Sequence, residues 1–267
     1  MKLREAERLL REAGIDEARD EARMIFRELG GLSPIELISL DAEADVDGAI
    51  MRRAQREPLA YVTGRAYFYR EEYFVDENCL IPRSDTEILV DFAVKNLPRG
   101  GRFIDICTGS GCIALSVLNN TDVTTATAVD ISAGAIKMAE KNAHALGLSD
   151  RIELLVRDAL EDAVDGEYDA VLSNPPYVTD GEYLELDKEL YFEPRAAFVG
   201  GEDGGDFYRR LTPMYKNLLK SGGFIAYEIG AAQAELIGRI AEENGMGCEI
   251  IRDFGGHDRV AVLKKRN

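Results

Sequence analysis

Apolar residues recur at helical spacing through the first part of the chain and then give way to short continuous runs. Leu3, Ala6, Leu10 and Ala13 share one helical face, and Ala22, Ile25, Phe26 and Leu29 share another, with charged residues on the opposite sides. That period predicts short amphipathic helices from Leu3 to about Arg56, packed as a small bundle. Ser33-Pro34-Ile35-Glu36 offers an N-cap, a proline at the first helical position and a capping-box glutamate, and Gly30-Gly31 closes the helix before it. Between Tyr61 and Leu80, aromatic and β-branched residues surround Arg70-Glu71-Glu72, which predicts a connecting β-hairpin. Beyond Pro82, apolar runs starting at Phe103, Thr125, Ile152, Asp169 and Phe224 alternate with helical stretches. This is the pattern of a mostly parallel sheet covered by helices. The runs near Cys248 and Arg259 are separated by Gly255-Gly256, too short a link for a crossover helix, so they are expected to pair antiparallel at one edge. The expected division is a helical domain over 1–63, a hairpin over 64–80 and an α/β domain over 81–267.

Composition narrows the classes. Of the 267 residues 46% are hydrophobic and 30% charged, with 25 Gly and 8 Pro, which suits a folded globular chain rather than a disordered or collagenous one. Basic residues number 32 against 49 acidic, a net charge of −17 that disfavours an electrostatic grip on nucleic acid or an anionic membrane. Cys79, Cys107, Cys112 and Cys248 form no CxxC pair, and His144 and His257 are the only histidines, so no metal site is expected. The N-terminal stretch is charged throughout and no later run reaches the length of a bilayer span, so the expected location is cytoplasmic.

The chemistry is concentrated at predicted strand ends. Asp105-Ile106-Cys107-Thr108-Gly109-Ser110-Gly111 places a glycine-rich turn between a strand and a helix, where a ligand can approach the backbone. A tight turn that needs glycine for its own conformation is the plainer reading. Asp130 ends the second strand at the separation at which an acidic residue meets a ribose in nucleotide-binding α/β folds. Asp158, followed by Ala159, ends the third strand further along the rim, where an adenine would rest; either aspartate could instead cap a helix. The most specific feature is Asn174-Pro175-Pro176-Tyr177, after the fourth strand. Two prolines fix φ and donate no hydrogen bond, leaving a rigid segment whose carbonyls are open to another donor. A planar NH₂ group could give one hydrogen to the Asn174 side chain and one to the Pro175 carbonyl while Tyr177 covers its face.

These motifs in this order resemble the class I S-adenosylmethionine-dependent methyltransferases that act on amide or exocyclic amino nitrogen. Within that group PLAYVTG at Pro58, LIPRSDTEILV at Leu80, DICTGSGCIALS at Asp105, NPPYV at Asn174, FEPRAAFVGGEDGG at Phe192 and GGHDRVAV at Gly255 resemble the release factor N5-glutamine methyltransferases, the HemK/PrmC family. The similarity runs from about Pro58 to the end, and the helical N-terminus fits that family's small substrate-recognition domain. Cys107 and Ser84 stand where the family often has Gly and Pro, and Ala159 stands where an aromatic residue is common.

The resemblance implies methyl transfer from S-adenosyl-L-methionine, with S-adenosyl-L-homocysteine as product, to the glutamine amide of a release factor's Gly-Gly-Gln loop. It implies that Asp105, Ile106, Cys107, Thr108, Gly109 and Gly111 surround the methionine and sulfonium part, and that Asp130 takes the ribose hydroxyls. Asp158 and Ala159 then flank the adenine, with Asn174 at the junction of cofactor and substrate. Asn174, Pro175, Pro176 and Tyr177 hold the glutamine, with Asn174 and Pro175 in the catalytic role. Arg83 helps to close the pocket or, equally, pairs on the surface with Asp85 or Glu87. A monomer acting on a protein partner is expected, with no direct nucleic acid contact. Three other readings compete: a glutamine methyltransferase of a ribosomal protein, an adenine methyltransferase of nucleic acid, which the charge disfavours, and a non-catalytic adaptor.

Overall fold

A computed structural model describes residues 1–123, 125–161 and 164–266. The chain separates into two compact units, Met1–Arg65 with Asp187–Phe192, and Ala66–Leu186 with Glu193–Asn267.

In the first unit α1 (Leu3–Glu12), α2 (Ala18–Glu28), α3 (Asp47–Ala54) and α4 (Leu59–Thr63) enclose a small core. Leu3, Ala6, Leu10, Ala22, Ile25 and Phe26 are fully buried in it, as their spacing predicts. Leu29 is instead 45% exposed at the C-cap of α2, because the chain reverses at Gly31 (φ +69°) and Leu32 packs against the core in its place. The capping box at Ser33 forms: its N–H and hydroxyl donate to Glu36 Oε2 at 2.8 and 2.6 Å. The helix it announces is a single 3₁₀ turn, Glu36–Ile38, since Leu37 reaches the core while Ile35 and Ile38 stay exposed. A turn with no apolar face to bury has nothing to offset the cost of propagation. Arg53 of α3 is buried, and its guanidinium is satisfied by Glu21 of α2, by Glu189 at 3.1 Å and by the Glu57 carbonyl at 3.1 Å. Burial of a cation requires such partners.

The expected hairpin, β1 (Arg65–Phe68) and β2 (Glu71–Phe74), opens the second unit from Ala66 on. Then follow α5 (Glu87–Asn96), β3 (Arg102–Ile106), α6 (Cys112–Asn119), β4 (Thr125–Asp130), α7 (Ala133–Ala145), β5 (Ile152–Val156) and β6 (Tyr168–Ser173). The chain continues through α8 (Asp180–Tyr183), α9 (Asp206–Tyr215), β7 (Leu219–Glu228), α10 (Ala234–Glu243), β8 (Met246–Arg252) and β9 (Asp258–Lys265).

Seven strands form one sheet in the order β5-β4-β3-β6-β7-β9-β8. The first five pair in parallel, and β9 runs against both β7 and β8, so the expected antiparallel pair does occupy one edge. Side chains alternate between two dry faces. Phe103, Ala126, Leu172 and Ala226 pack toward α5 and α6, while Ile104, Ile106, Val171 and Tyr227 pack toward α9 and α10. Both faces being covered explains why the strands read as continuous apolar runs.

The hairpin is fastened to the sheet's helices by polar groups. Buried Glu71 accepts from Asn119, Asn120 and Ser116 of α6 and the residue after it, at 2.9, 2.8 and 3.1 Å. Asn142 of α7 accepts from the Phe74 N–H at 2.7 Å and donates to the Phe74 carbonyl at 3.0 Å and the Ser110 carbonyl at 2.8 Å. One buried carboxamide therefore ties β2 to the glycine-rich turn. Asn142→Leu keeps the volume but strands these backbone groups, and should lower the unfolding free energy by about 3 kcal/mol. Urea denaturation should show an earlier midpoint at unchanged slope.

Candidate active site

Backbone pairing brings four strand ends level, with Ile106 opposite both Val129 and Ser173, and Asp130 opposite Val156. Beyond them lies a cavity of about 270 Å³. Its walls include Ile106, Cys107, Thr108, Gly109, Asp130, Asp158, Ala159, Asn174, Pro176 and Arg83, so residues far apart in sequence meet there. Asp105, Gly111, Pro175 and Tyr177 do not line it.

The turn after β3 takes left-handed backbone at Cys107 (φ +60°), Gly109 (φ +56°) and Gly111 (φ +81°). Cys107 is strained there, since a β-carbon disfavours that region. A β-carbon on Gly111 would also lie 3.1 Å from the Ala139 side chain, so this position needs glycine twice over. Asp130 holds the turn, accepting from the Gly109 N–H at 2.9 Å and the Ser132 N–H at 2.9 Å. Asp158 accepts from the Leu160 N–H at 2.9 Å and closes a local turn while still lining the cavity.

Asp105 sits beneath the turn with no exposure. Its Oδ2 accepts from the Thr108 hydroxyl at 2.6 Å and the Ala114 N–H at 3.2 Å, and its Oδ1 has no partner among the described residues. Burial, only partly offset by these donors, pushes its carboxyl up to about 7. Ser110 Oγ, in the cavity wall, is likewise buried and without a partner among the described residues.

After β6, the Ser173 hydroxyl donates to the Ile106 carbonyl at 2.6 Å, and Asn174 Nδ2 donates to Thr86 Oγ1 at 3.2 Å. The Tyr177 hydroxyl donates to Glu228 Oε1 at 3.2 Å. The Tyr177 carbonyl accepts from Gln233 at 3.0 Å, and Val178 pairs with Phe198 and Gly200 at 2.8 and 2.9 Å. A β-carbon on Gly200 would fall 2.4 Å from the Pro176 carbonyl oxygen, and one on Gly204 2.1 Å from that of Tyr177. The glycines of FVGGEDGG thus let a second segment press against the proline pair.

Arg83 pairs with neither Asp85 nor Glu87. Its partner is buried Glu193, which also accepts from the Ile81 N–H at 2.8 Å, while Asp85 pairs with Arg259 at 3.2 Å and Glu87 accepts from the Tyr69 N–H at 2.9 Å. The sequence reading passed over Glu193, Thr86 and Glu228. A sequence signal existed for Glu228, a carboxylate closing the otherwise apolar run FIAYE. Its burial pushes it up to about 7 despite the hydrogen bond from Tyr177.

The raised Asp105 value has a definite sign. Its contribution to the ligand-free fold is complete below the ordinary 3.8 and is lost as pH climbs to about 7, because only the neutral form is well accommodated. Wild type should therefore lose more stability than Asp105→Asn between pH 5 and 8, by a difference on the order of 2 kcal/mol, readable from paired thermal melts.

Two family descriptions match the chain, the "PrmC N-terminal domain" over residues 2–64 and the "Methyltransferase small domain" over residues 84–195. A release factor glutamine methyltransferase from Clostridium acetobutylicum is 40% identical over 80% of this chain and 77% of its own. One from Geobacter sulfurreducens is 35% identical over 94% of this chain and 91% of its own. Among solved structures, the ribosomal protein L11 methylase of Lactobacillus delbrueckii subsp. bulgaricus superposes with a TM-score of 0.52 at 21% identity, covering 69% of this chain and 81% of that one, a likeness of fold. Spread over both units and at this identity, the similarity shows that the chain belongs to the release factor glutamine methyltransferase family.

Proposed function

We propose that this chain methylates the side-chain amide nitrogen of the glutamine in the Gly-Gly-Gln loop of a peptide chain release factor, with S-adenosyl-L-methionine as donor. The observation that carries this reading is Asn174, a carboxamide followed by two prolines, in the wall of the same cavity as the glycine-rich turn and Asp130. The cavity residues fit the donor. The Ser110 hydroxyl in the cavity wall, unpartnered among the described residues, is open to the methionine portion, Gly109 leaves that wall free of a side chain, and Asp105 would act from beneath by holding the turn through Thr108. Asp130 would take the ribose hydroxyls, and Asp158, Ala159, Ile131 and Phe207 would flank the adenine; Phe207 supplies an aromatic ring in a wall where Ala159 offers none. Arg83, fastened to Glu193, ties the residues before α5 to the segment carrying Pro194 and Ala197, both in the cavity wall.

Bound there, S-adenosyl-L-methionine supplies an electrophilic methyl group and leaves as S-adenosyl-L-homocysteine. The chain's own residues address the weakness of the nucleophile. An amide nitrogen has a delocalised lone pair, so it must be oriented closely, with its hydrogens accepted away from the line of attack. The Asn174 side-chain oxygen and the Pro175 carbonyl suit that task. As the C–N bond forms, the nitrogen gains positive character and its N–H groups become stronger donors, so these acceptors favour the transition state over the ground state. One amide proton is lost to solvent after bond formation has begun, and no strong base is required beforehand.

A net charge of −17 favours a protein substrate over phosphate-rich nucleic acid, and the same reading has the chain act as a cytoplasmic monomer. The assay offers labelled S-adenosylmethionine with release factor, release factor lacking the Gly-Gly-Gln glutamine, ribosomal proteins and an adenine-containing oligonucleotide. Label should enter the intact release factor alone, and Asn174→Ala should lower kcat by about 100-fold or more while cofactor binding persists. Label in the oligonucleotide or a ribosomal protein would overturn the substrate. Asp130→Ala should weaken cofactor affinity about tenfold by calorimetry, the loss of one charge-assisted acceptor.

A further inference from the structure

We propose that Glu193 is a positioning residue that latches residues 194–197 across the cofactor cavity, so that breaking its contacts speeds the exchange of cofactor and product. The proposal rests on the reading of that cavity given above and adds a residue that does not itself line it.

The cavity has two kinds of wall. One is made of strand ends and the loops attached to them, which the hydrogen bonds of the sheet hold in register. The other comes from two segments outside the sheet, Leu80, Pro82 and Arg83 ahead of α5, and Pro194, Ala196 and Ala197 at the 3₁₀ turn Arg195–Ala197. Neither segment lies in a strand, so each needs anchors of another kind.

Residues 194–197 are anchored at both ends. On the C-terminal side the Val178 N–H donates to the Phe198 carbonyl at 2.8 Å and the Gly200 N–H to the Val178 carbonyl at 2.9 Å, which joins the segment to the chain just beyond Asn174-Pro175-Pro176-Tyr177. The Phe198 ring also packs against Tyr183, with centroids 6.1 Å apart. Between the ends, Arg195 reaches Asp180 at 2.6 Å, but both side chains are exposed, and such a pair contributes little. On the N-terminal side the anchor is Glu193, whose Oε2 accepts from the Ile81 N–H at 2.8 Å and whose Oε1 pairs with Arg83. One carboxylate thus takes hold of the other off-sheet segment with both oxygens. Residues 194–197 run from the proline pair to the stretch ahead of α5, and Glu193 secures the end where the anchor is a side chain rather than backbone.

The two sides of this latch differ in exposure. The Glu193 side chain is 1% exposed and that of Arg83 37%. Burial raises the Glu193 carboxyl above its ordinary range while Arg83 draws it back. A pair so placed returns little net stability, and loss of the cation would leave a buried charge uncompensated. Because the arginine is open to solvent, the contact can break without unfolding the core. A ligand enclosed by both walls leaves only when one of them moves, and the strand ends are the less free to do so.

Glu193→Gln removes the charge and keeps an acceptor for the Ile81 N–H. In the full-length protein, stopped-flow displacement of bound S-adenosyl-L-homocysteine should show release about 10-fold faster or more, the worth of one charge-assisted contact, with association not slowed and the melting temperature nearly unchanged. Hydrogen exchange in the ligand-free protein should quicken at the amides of residues 197–200 and not in β3, β4 or β6. Arg83→Met should speed release further than Glu193→Gln, because it strands the carboxylate, and adding Glu193→Gln to it should bring release back toward the rate of Glu193→Gln alone. Wild-type release from Glu193→Gln, faster exchange throughout the sheet, or effects that add in the double variant would overturn the proposal. If the wild-type protein binds no S-adenosyl-L-homocysteine, the reading of the cavity fails first, and hydrogen exchange in the ligand-free protein still decides whether Glu193 secures residues 194–197.

Discussion

Hydrogen bonding between neighbouring strands extends to and beyond the C-terminal ends of β3, β4, β5 and β6, and the candidate site is assembled there. The Thr108 N–H donates to the Val129 carbonyl at 3.0 Å, the Arg157 N–H to the Asp130 carbonyl at 2.9 Å, and the Ser173 hydroxyl to the Ile106 carbonyl at 2.6 Å. Each loop leaves its strand already attached to the neighbouring one. Side chains from positions 107 to 174 can then be placed with the precision of a sheet rather than of free loops. The glycine-rich turn, Asp130, Asp158 and Asn174 all depend on that alignment.

Elements governed by local pattern were legible. The strand runs, the hairpin and the burial of Leu3, Leu10, Ile25 and Phe26 follow from periodicity, which acts through neighbours in sequence. Local signals misled where packing had the last word. The capping box at Ser33 formed but nucleated a single turn, and Leu29 continued a helical face that the fold had ceased to use. The rim of the cavity was readable because glycine, aspartate and the proline pair each end a strand. The partners of those groups were not, because Arg83 and Glu193, or Asn174 and Thr86, meet only through the fold. No spacing rule connects residues so far apart.

The site collects carboxyl groups in a chain already rich in them. Asp105 and Glu228 are both pushed up to about 7, and burial raises Asp130 and Glu193 as well. Without a ligand these groups sit in an environment that penalises their charge. Among the described residues, Glu193 alone of these four has a cation in direct contact, through Arg83. Of these four only Asp130 lines the cavity, and a positive charge beside it would relieve that penalty, as a phosphate would not.

The Asn142 carboxamide makes two apparently separate parts of the molecule into one. The Phe74 amide proton is sealed by Asn142 Oδ1, and the Ser110 carbonyl is satisfied by the NH₂ group of the same side chain. Solvent can reach the hairpin amide only if Asn142 lets go, and the glycine-rich turn then loses a support in the same event. Local opening of the hairpin and loosening of the turn are thus a single cooperative unit rather than two independent fluctuations.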